Sequence, residues 1–206
     1  MQKKSPSVHD MIWLKSKDCT SLALLPEWMT ENWHLHLPLV VCRDKCLENM
    51  LYACIRGKHK DERYKVLVNH ENIKKIQTAE EVLQLVNKSD NIDLFSHFQQ
   101  YSIISDLAQT VPEIGIIGSW GFSLAISEKW VDEKSDINLI FKLAVNTIRR
   151  EKWMSIYKVL KLMETQITIT IENCQGGFSL EEWLTKDYVF LDTVDGLKLT
   201  PNYLIV

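Results

Sequence analysis

Between Glu113 and Leu139 the chain reads strand, glycine-serine turn, helix, strand, with polar residues concentrated at two tips. Glu113-Ile114-Gly115-Ile116-Ile117 is an apolar run that predicts a short strand, and it ends at Gly118-Ser119-Trp120-Gly121-Phe122. Phe122, Leu124, Ala125 and Ile126 then predict a helix, and Asp136 to Phe141 a second strand. Residues i and i+2 of an extended strand share a face, so Asp136 and Asn138 can converge while Ile137 and Leu139 pack behind them. A turn into a helix N-terminus presents backbone N–H groups and a positive dipole end to phosphate. Alone, a Gly-Ser pair is usually a turn and an Asp-x-Asn a solvated strand end. In this order they point to a phosphate held beside a cation.

Attack on the α-phosphorus of a nucleotide requires a neutralised polyphosphate and a nucleophile in line with a pyrophosphate leaving group. Hard, oxygen-bound cations serve both needs. The segment therefore reads as the core of a nucleotidyltransferase site, with Gly118 and Ser119 on the phosphates and Asp136 and Asn138 on magnesium. Asn138 stands where such a site is expected to carry a second aspartate. An amide oxygen coordinates a hard cation but brings no charge and cannot act as a base. Glu172, the only acid on the run 166–172, is the candidate for a further ligand; a strand-end carboxylate meeting solvent is the plain alternative.

The 206 residues suffice for one moderately large domain or two small ones with a real core. A formal net charge of −3 removes the general attraction to a nucleic acid polymer, so any nucleotide contact is local. No apolar run has signal-peptide or membrane-spanning length, which sets the expectation of a cytoplasmic protein without a membrane partner. Five cysteines at 19, 42, 46, 54 and 174 show no zinc or redox spacing and read as free, mostly buried thiols. His34 and His36 could share a strand face, but with no further ligands nearby no zinc site is assigned.

The first part of the chain reads as mostly β. Leu35 to Arg43, Leu51 to Arg56 and Arg63 to Val68 predict a small antiparallel sheet. Thr78 with Glu81 is a capping box that opens a helix over Ala79 to about Val86, and a second helix is expected over Leu94 to Ala108. A longer helix is expected over Val145 to Leu162, and the alternation of 166–172 predicts a strand. Ser179 with Glu182 is another capping box, and Tyr188 to Thr200 around Asp195-Gly196 predicts a hairpin. The fold class is α+β: a small, mostly-β N-terminal domain over 1–77, then a nucleotidyltransferase-like α/β domain over 78–206 with a mixed sheet flanked by helices.

Five blocks in order carry a family resemblance. They are His9-Asp10-Met11-Ile12-Trp13-Leu14, Ile55-Arg56-Gly57-Lys58 with Arg63, Gly118-Ser119-Trp120-Gly121-Phe122 with Leu124-Ala125, Ser135-Asp136-Ile137-Asn138-Leu139, and Gly177-Phe178-Ser179-Leu180-Glu181-Glu182-Trp183. Over nearly its full length the chain resembles the malonate decarboxylase holo-acyl-carrier-protein synthase, or phosphoribosyl-dephospho-CoA transferase, family. The resemblance implies an enzyme that joins the prosthetic group of 2′-(5″-triphosphoribosyl)-3′-dephospho-CoA to a serine of the malonate decarboxylase acyl carrier protein, with pyrophosphate released. It implies Mg²⁺ at Asp136 and its partner, the triphosphate at Gly118 and Ser119, and positive charge from Arg56, Lys58 and Arg63. For the charged run 58–63 a solvated loop is the alternative, which Arg56, placed at a strand end, escapes. His9 and Asp10 fit a tethered N-terminal strand, and Trp13 and Trp183 fit packing rather than ligand stacking. The family pattern has aspartate at both metal-strand positions, and Thr168 stands where a further acid is expected. Two outcomes follow from Asn138: a slower enzyme using one well-held ion, or a relative that keeps the fold and binds nucleotide or carrier without efficient transfer; a third possibility keeps the enzyme class but changes the acceptor to another carrier, such as that of citrate lyase.

Overall fold

The computed structural model describes residues 5–17, 26–46, 48–59, 61–111, 113–142 and 149–205, with the side chains of 30–32 left aside. Cys19 and the first residues of the helix expected from Val145 lie outside the described residues. By its contacts the chain divides into two units, 1–78 and 79–206.

The first unit is mostly β. Its elements are β1 (Met11–Leu14), α1 (Glu27–Asn32), β2 (Leu39–Val41), β3 (Met50–Arg56), β4 (Arg63–Asn69) and β5 (Ile73–Gln77). They form an antiparallel sheet in the order β4-β3-β2-β1-β5. Alternation along the strands buries Ile12, Leu39, Ala53, Ile55, Val66 and Val68 completely, so one face carries the core. The neighbouring positions Tyr52, Cys54 and Arg56 pair with Leu67, Lys65 and Arg63 on the other face.

Two departures from the expected strands have local causes. The strand expected from Leu35 begins only at Leu39, because Leu37 N–H closes a turn onto the His34 carbonyl. His34 and His36 are therefore exposed turn residues with stacked rings 5.6 Å apart, not strand neighbours. β5 escaped the pattern because Lys74-Lys75 breaks its alternation and a register shift at Trp13/Leu14 accommodates it against β1.

The second unit is α+β. It opens with α2 (Ala79–Leu83), continued by a 3₁₀ turn over Gln84–Asn87, then α3 (Ser89–Phe95) and α4 (Gln99–Thr110). The single helix expected over Leu94 to Ala108 is thus broken. Phe98 is extended at the break, and its ring packs edge-on against Trp120 at 5.7 Å. There follow β6 (Ile114–Ile117), α5 (Gly118–Ile126), β7 (Ile137–Lys142), α6 (Arg150–Leu160), β8 (Ile167–Glu172), β9 (Gly177–Ser179), α7 (Leu180–Thr185), β10 (Tyr188–Thr193) and β11 (Gly196–Pro201). The six-stranded sheet runs β11-β10-β9-β8-β7-β6; β7 and β8 are parallel and the other pairs antiparallel. The mixed sheet with its helices agrees with the expected fold class.

The core of this unit grips the helix that starts at Gly118. Trp120 is fully buried between Phe95 and Phe98, and Phe122 meets Trp130 at 4.8 Å. Buried Asn91 donates to the Leu85 and Leu124 carbonyls and so ties α3 to α5. Gly115 lets α2 approach β6, since a Cβ there would lie 2.5 Å from the Ala79 Cβ.

Candidate functional site

Chain direction changes at Gly118 between β6 and α5, and its φ of +70° lies in the left-handed region that favours glycine. A side chain there would also start 3.0 Å from Asn138 Nδ2. Gly118 therefore sits directly over the amide of β7, and this close approach joins the two tips read from the sequence. No side chain caps α5, whose N-cap is Ile117, and its first turn holds no acid. Its leading N–H groups and dipole are thus arranged as an anion site.

The other wall is the start of β7. A turn precedes it in which Ser135 Oγ donates to Asp132 Oδ1 at 3.0 Å and accepts from the Asp132 N–H. Asp136 and Asn138 are half-buried, whereas Ile137 and Leu139 are fully buried, the alternation expected of a strand tip. Among the described residues the Asp136 carboxylate makes no hydrogen bond or ion pair. Asn138 is held at both ends of its amide: Oδ1 accepts from Thr168 Oγ1 at 2.6 Å, and Nδ2 donates to the Asp136 carbonyl at 3.4 Å.

Thr168 reaches Asn138 because the two are register partners in the parallel β7–β8 pair. The same register separates Glu172 from the site. Glu172 is opposite Lys142, four positions along the strand, which at about 3.3 Å per residue is roughly 13 Å from Thr168. Glu172 is accordingly not brought to the ion expected at Asp136 and Asn138. Among the described residues no group of three or more histidine, cysteine, aspartate or glutamate side chains could hold a metal. What remains is an oxygen-only pair, the Asp136 carboxylate and the Asn138 amide oxygen. That chemistry suits magnesium, which takes one or two carboxylates and completes its shell with water and substrate phosphates.

Thr168 is the residue that sequence reasoning undervalued, because it registered there only as a missing acid. It also lines a cleft with Tyr157, Lys161, Ser179 and Glu181. At about 40 Å³ this cleft has room for little more than a water molecule.

The basic residues belong to the first unit. Arg56 ends β3 and is buried, whereas Arg63, its register partner on β4, and Lys58, in the connecting loop, are exposed. Burial, then the neighbouring Arg63, lowers the Arg56 guanidinium to about 10, so it is still charged at neutral pH. His9 and Asp10 serve the tether: His9 N–H donates to the Val41 carbonyl, and the Asp10 carboxylate accepts from Ser7 N–H. Trp13 donates to the His36 carbonyl and carries Lys75 over its ring, and Trp183 is buried under Arg150. The described thiols are free, as expected, but not mostly buried. Cys46 and Cys174 are exposed, and Cys42 and Cys54 are half-buried.

Comparison with known proteins defines the class. The profile of the phosphoribosyl-dephospho-CoA transferase MdcG C-terminal domain matches residues 96–203, and that of the MdcG N-terminal domain matches residues 7–79. A phosphoribosyl-dephospho-CoA transferase of Klebsiella pneumoniae strain 342 is 25% identical over 196 residues, which cover 95% of both chains. Another, from Klebsiella pneumoniae subsp. pneumoniae, is 27% identical over 201 residues and again 95% of each. The enzyme of that name from Pseudomonas syringae pv. tomato is 23% identical over 94% of this chain and 91% of its own. No solved structure matches the chain significantly. The chain is a transferase enzyme. More narrowly, it belongs to the phosphoribosyl-dephospho-CoA transferase MdcG family.

Proposed function

We propose that the protein transfers the phosphoribosyl-dephospho-CoA group of 2′-(5″-triphosphoribosyl)-3′-dephospho-CoA to a serine of the malonate decarboxylase acyl carrier protein. The serine oxygen forms the new bond to the phosphorus nearest the ribose, and pyrophosphate leaves with the bond that breaks. The observation that carries the reading is the approach of Gly118 to Asn138, which brings an uncapped helix N-terminus to the strand whose tip carries Asp136. The N–H groups that open α5 bind the triphosphate oxygens, with the Ser119 hydroxyl at the turn. Asp136 and Asn138 would hold Mg²⁺, which would supply positive charge to the departing pyrophosphate. With no helix among the described residues long and apolar enough to cross a membrane, a cytoplasmic setting fits a carrier-protein substrate.

The test is magnesium-dependent labelling of purified apo carrier subunit by the wild-type protein, read by mass and by pyrophosphate release, with loss of both in Asp136→Ala. A second reading rests on the uncharged Asn138–Thr168 pair: a relative that binds substrate or carrier without efficient transfer. Transfer by Asn138→Asp but not by wild type selects that reading. Labelling the apo carriers of malonate decarboxylase and citrate lyase side by side decides the acceptor.

A further inference from the structure

Cys42, the residue after β2, meets Cys54 of β3 without being its register partner. Val40 faces Cys54 in the pairing, and Cys42 N–H donates to the Tyr52 carbonyl, so the two cysteines are diagonal neighbours on one face of the sheet. Their sulfurs lie 2.8 Å apart, with the Cys42 thiol donating to Cys54 Sγ. A disulfide needs about 2.05 Å, so well under an ångström of sulfur movement closes the bond. Both side chains are half-buried, which leaves an approach for a small molecule.

The surroundings assign the two sulfurs different parts. Lys65 is the register partner of Cys54 on β4 and Arg63 follows two positions away on the same face. Asp44 pairs with Lys65 at 2.9 Å and keeps its ammonium in place. The hydrogen bond from Cys42, then Lys65 and Arg63, pull the Cys54 thiol down to about 7 against the effect of burial. The same hydrogen bond, burial and the charge on Cys54 push the Cys42 thiol up. A thiolate beside a protonated thiol is the arrangement of an attacking and a resolving cysteine.

We propose that Cys42 and Cys54 form a thiol–disulfide exchange site on the N-terminal sheet that takes low-molecular-weight disulfides. The Cys54 thiolate attacks one sulfur of the disulfide, which forms a mixed disulfide and expels one thiolate. The Cys42 sulfur then attacks Cys54 Sγ and expels the second, whose proton comes from the Cys42 thiol. The net exchange converts one small disulfide and two protein thiols into one protein disulfide and two small thiols. No other oxidant is consumed.

The reduced full-length protein is treated with oxidised glutathione at neutral pH, quenched in acid and mapped without reduction. The expected product is a linked pair of peptides containing Cys42 and Cys54, with a loss of about 2 Da and two glutathiones released per chain. Cys42→Ala is expected to hold glutathione on Cys54 as a stable adduct, and Cys54→Ala to form no link. An independent reading needs no variant: iodoacetamide should label Cys54 several-fold faster than the exposed Cys46 and Cys174. Labelling of Cys54 no faster than these, or glutathione on Cys46 or Cys174 while Cys42 and Cys54 stay as thiols, overturns the proposal.

Discussion

The Thr168 hydroxyl donates to Asn138 Oδ1 at 2.6 Å from the neighbouring parallel strand and so fixes which end of the amide faces the tip of β7. An amide held this way offers its oxygen in one orientation, and the second contact, from Nδ2 to the Asp136 carbonyl, reinforces it. Thr168→Val removes the hydroxyl and keeps the shape. We expect a several-fold fall in transfer rate with less than about 1 kcal/mol lost in stability, because Thr168 is exposed. Thr168→Ser should retain the rate. Parallel kinetics and thermal melts of the three proteins check this, and a Val variant as fast as wild type removes Thr168 from the site.

Gly118→Ala combines backbone strain with a close contact, since φ is +70° and the added Cβ would sit 3.0 Å from Asn138 Nδ2. The expected cost is about 1–3 kcal/mol, read as a lower urea midpoint with an unchanged slope. Transfer should fall further than stability, because the same methyl displaces the amide. A variant of wild-type stability would contradict the tight approach of α5 to β7.

The charge at position 138 sets the demand for metal. Asn138→Asp adds a second carboxylate beside Asp136 and should lower the magnesium concentration for half-maximal transfer by about tenfold or more. Asp136→Ala should abolish transfer at any magnesium concentration, whereas Glu172→Gln should leave the magnesium dependence unchanged, because Glu172 faces Lys142 instead. Magnesium titrations of the three variants separate these outcomes.

Stability at acid pH should report on Glu182. Lys186 at 2.7 Å, then the Phe190 N–H, hold its carboxyl below the ordinary 4.5. A depressed carboxyl stabilises the fold fully above its unfolded value and loses that contribution as the pH falls through the folded value, where the unfolded chain binds more protons. Glu182→Gln should cost about 1 kcal/mol at pH 7 and nothing measurable at a pH well below the folded value. Urea unfolding at the two pH values checks this; equal losses at both would assign the effect to packing.

Much of the local structure was legible in the residues. Ser179 accepts from the Glu182 N–H as the capping box requires, although Glu182 turns its own side chain to Lys186 and Phe190 instead of back to the cap. Asp195-Gly196 makes the β10–β11 hairpin, with Gly196 at φ +102°. The alternation of 167–172 gives β8 its buried Ile169 and Ile171. The break at Phe98 was not legible, because the aromatic periodicity of 94–108 suits one helix as well as two and only the ring contact with Trp120 decides. β5 was missed for the same kind of reason: its pairing with β1 overrides a pattern broken by two lysines.

By itself the sequence determined the turn at Gly118, the strand that follows it and the face on which Asp136 and Asn138 lie, because backbone conformation and a two-residue period are local properties. It could not say which residue of one strand stands beside which residue of another. That choice belongs to pairing between segments 30 residues apart, as for Asn138 and Thr168, where hydrogen bonding and burial along the whole strand select one register. The tertiary structure alone put Thr168 on Asn138, Glu172 out of reach, and Cys54 against Cys42.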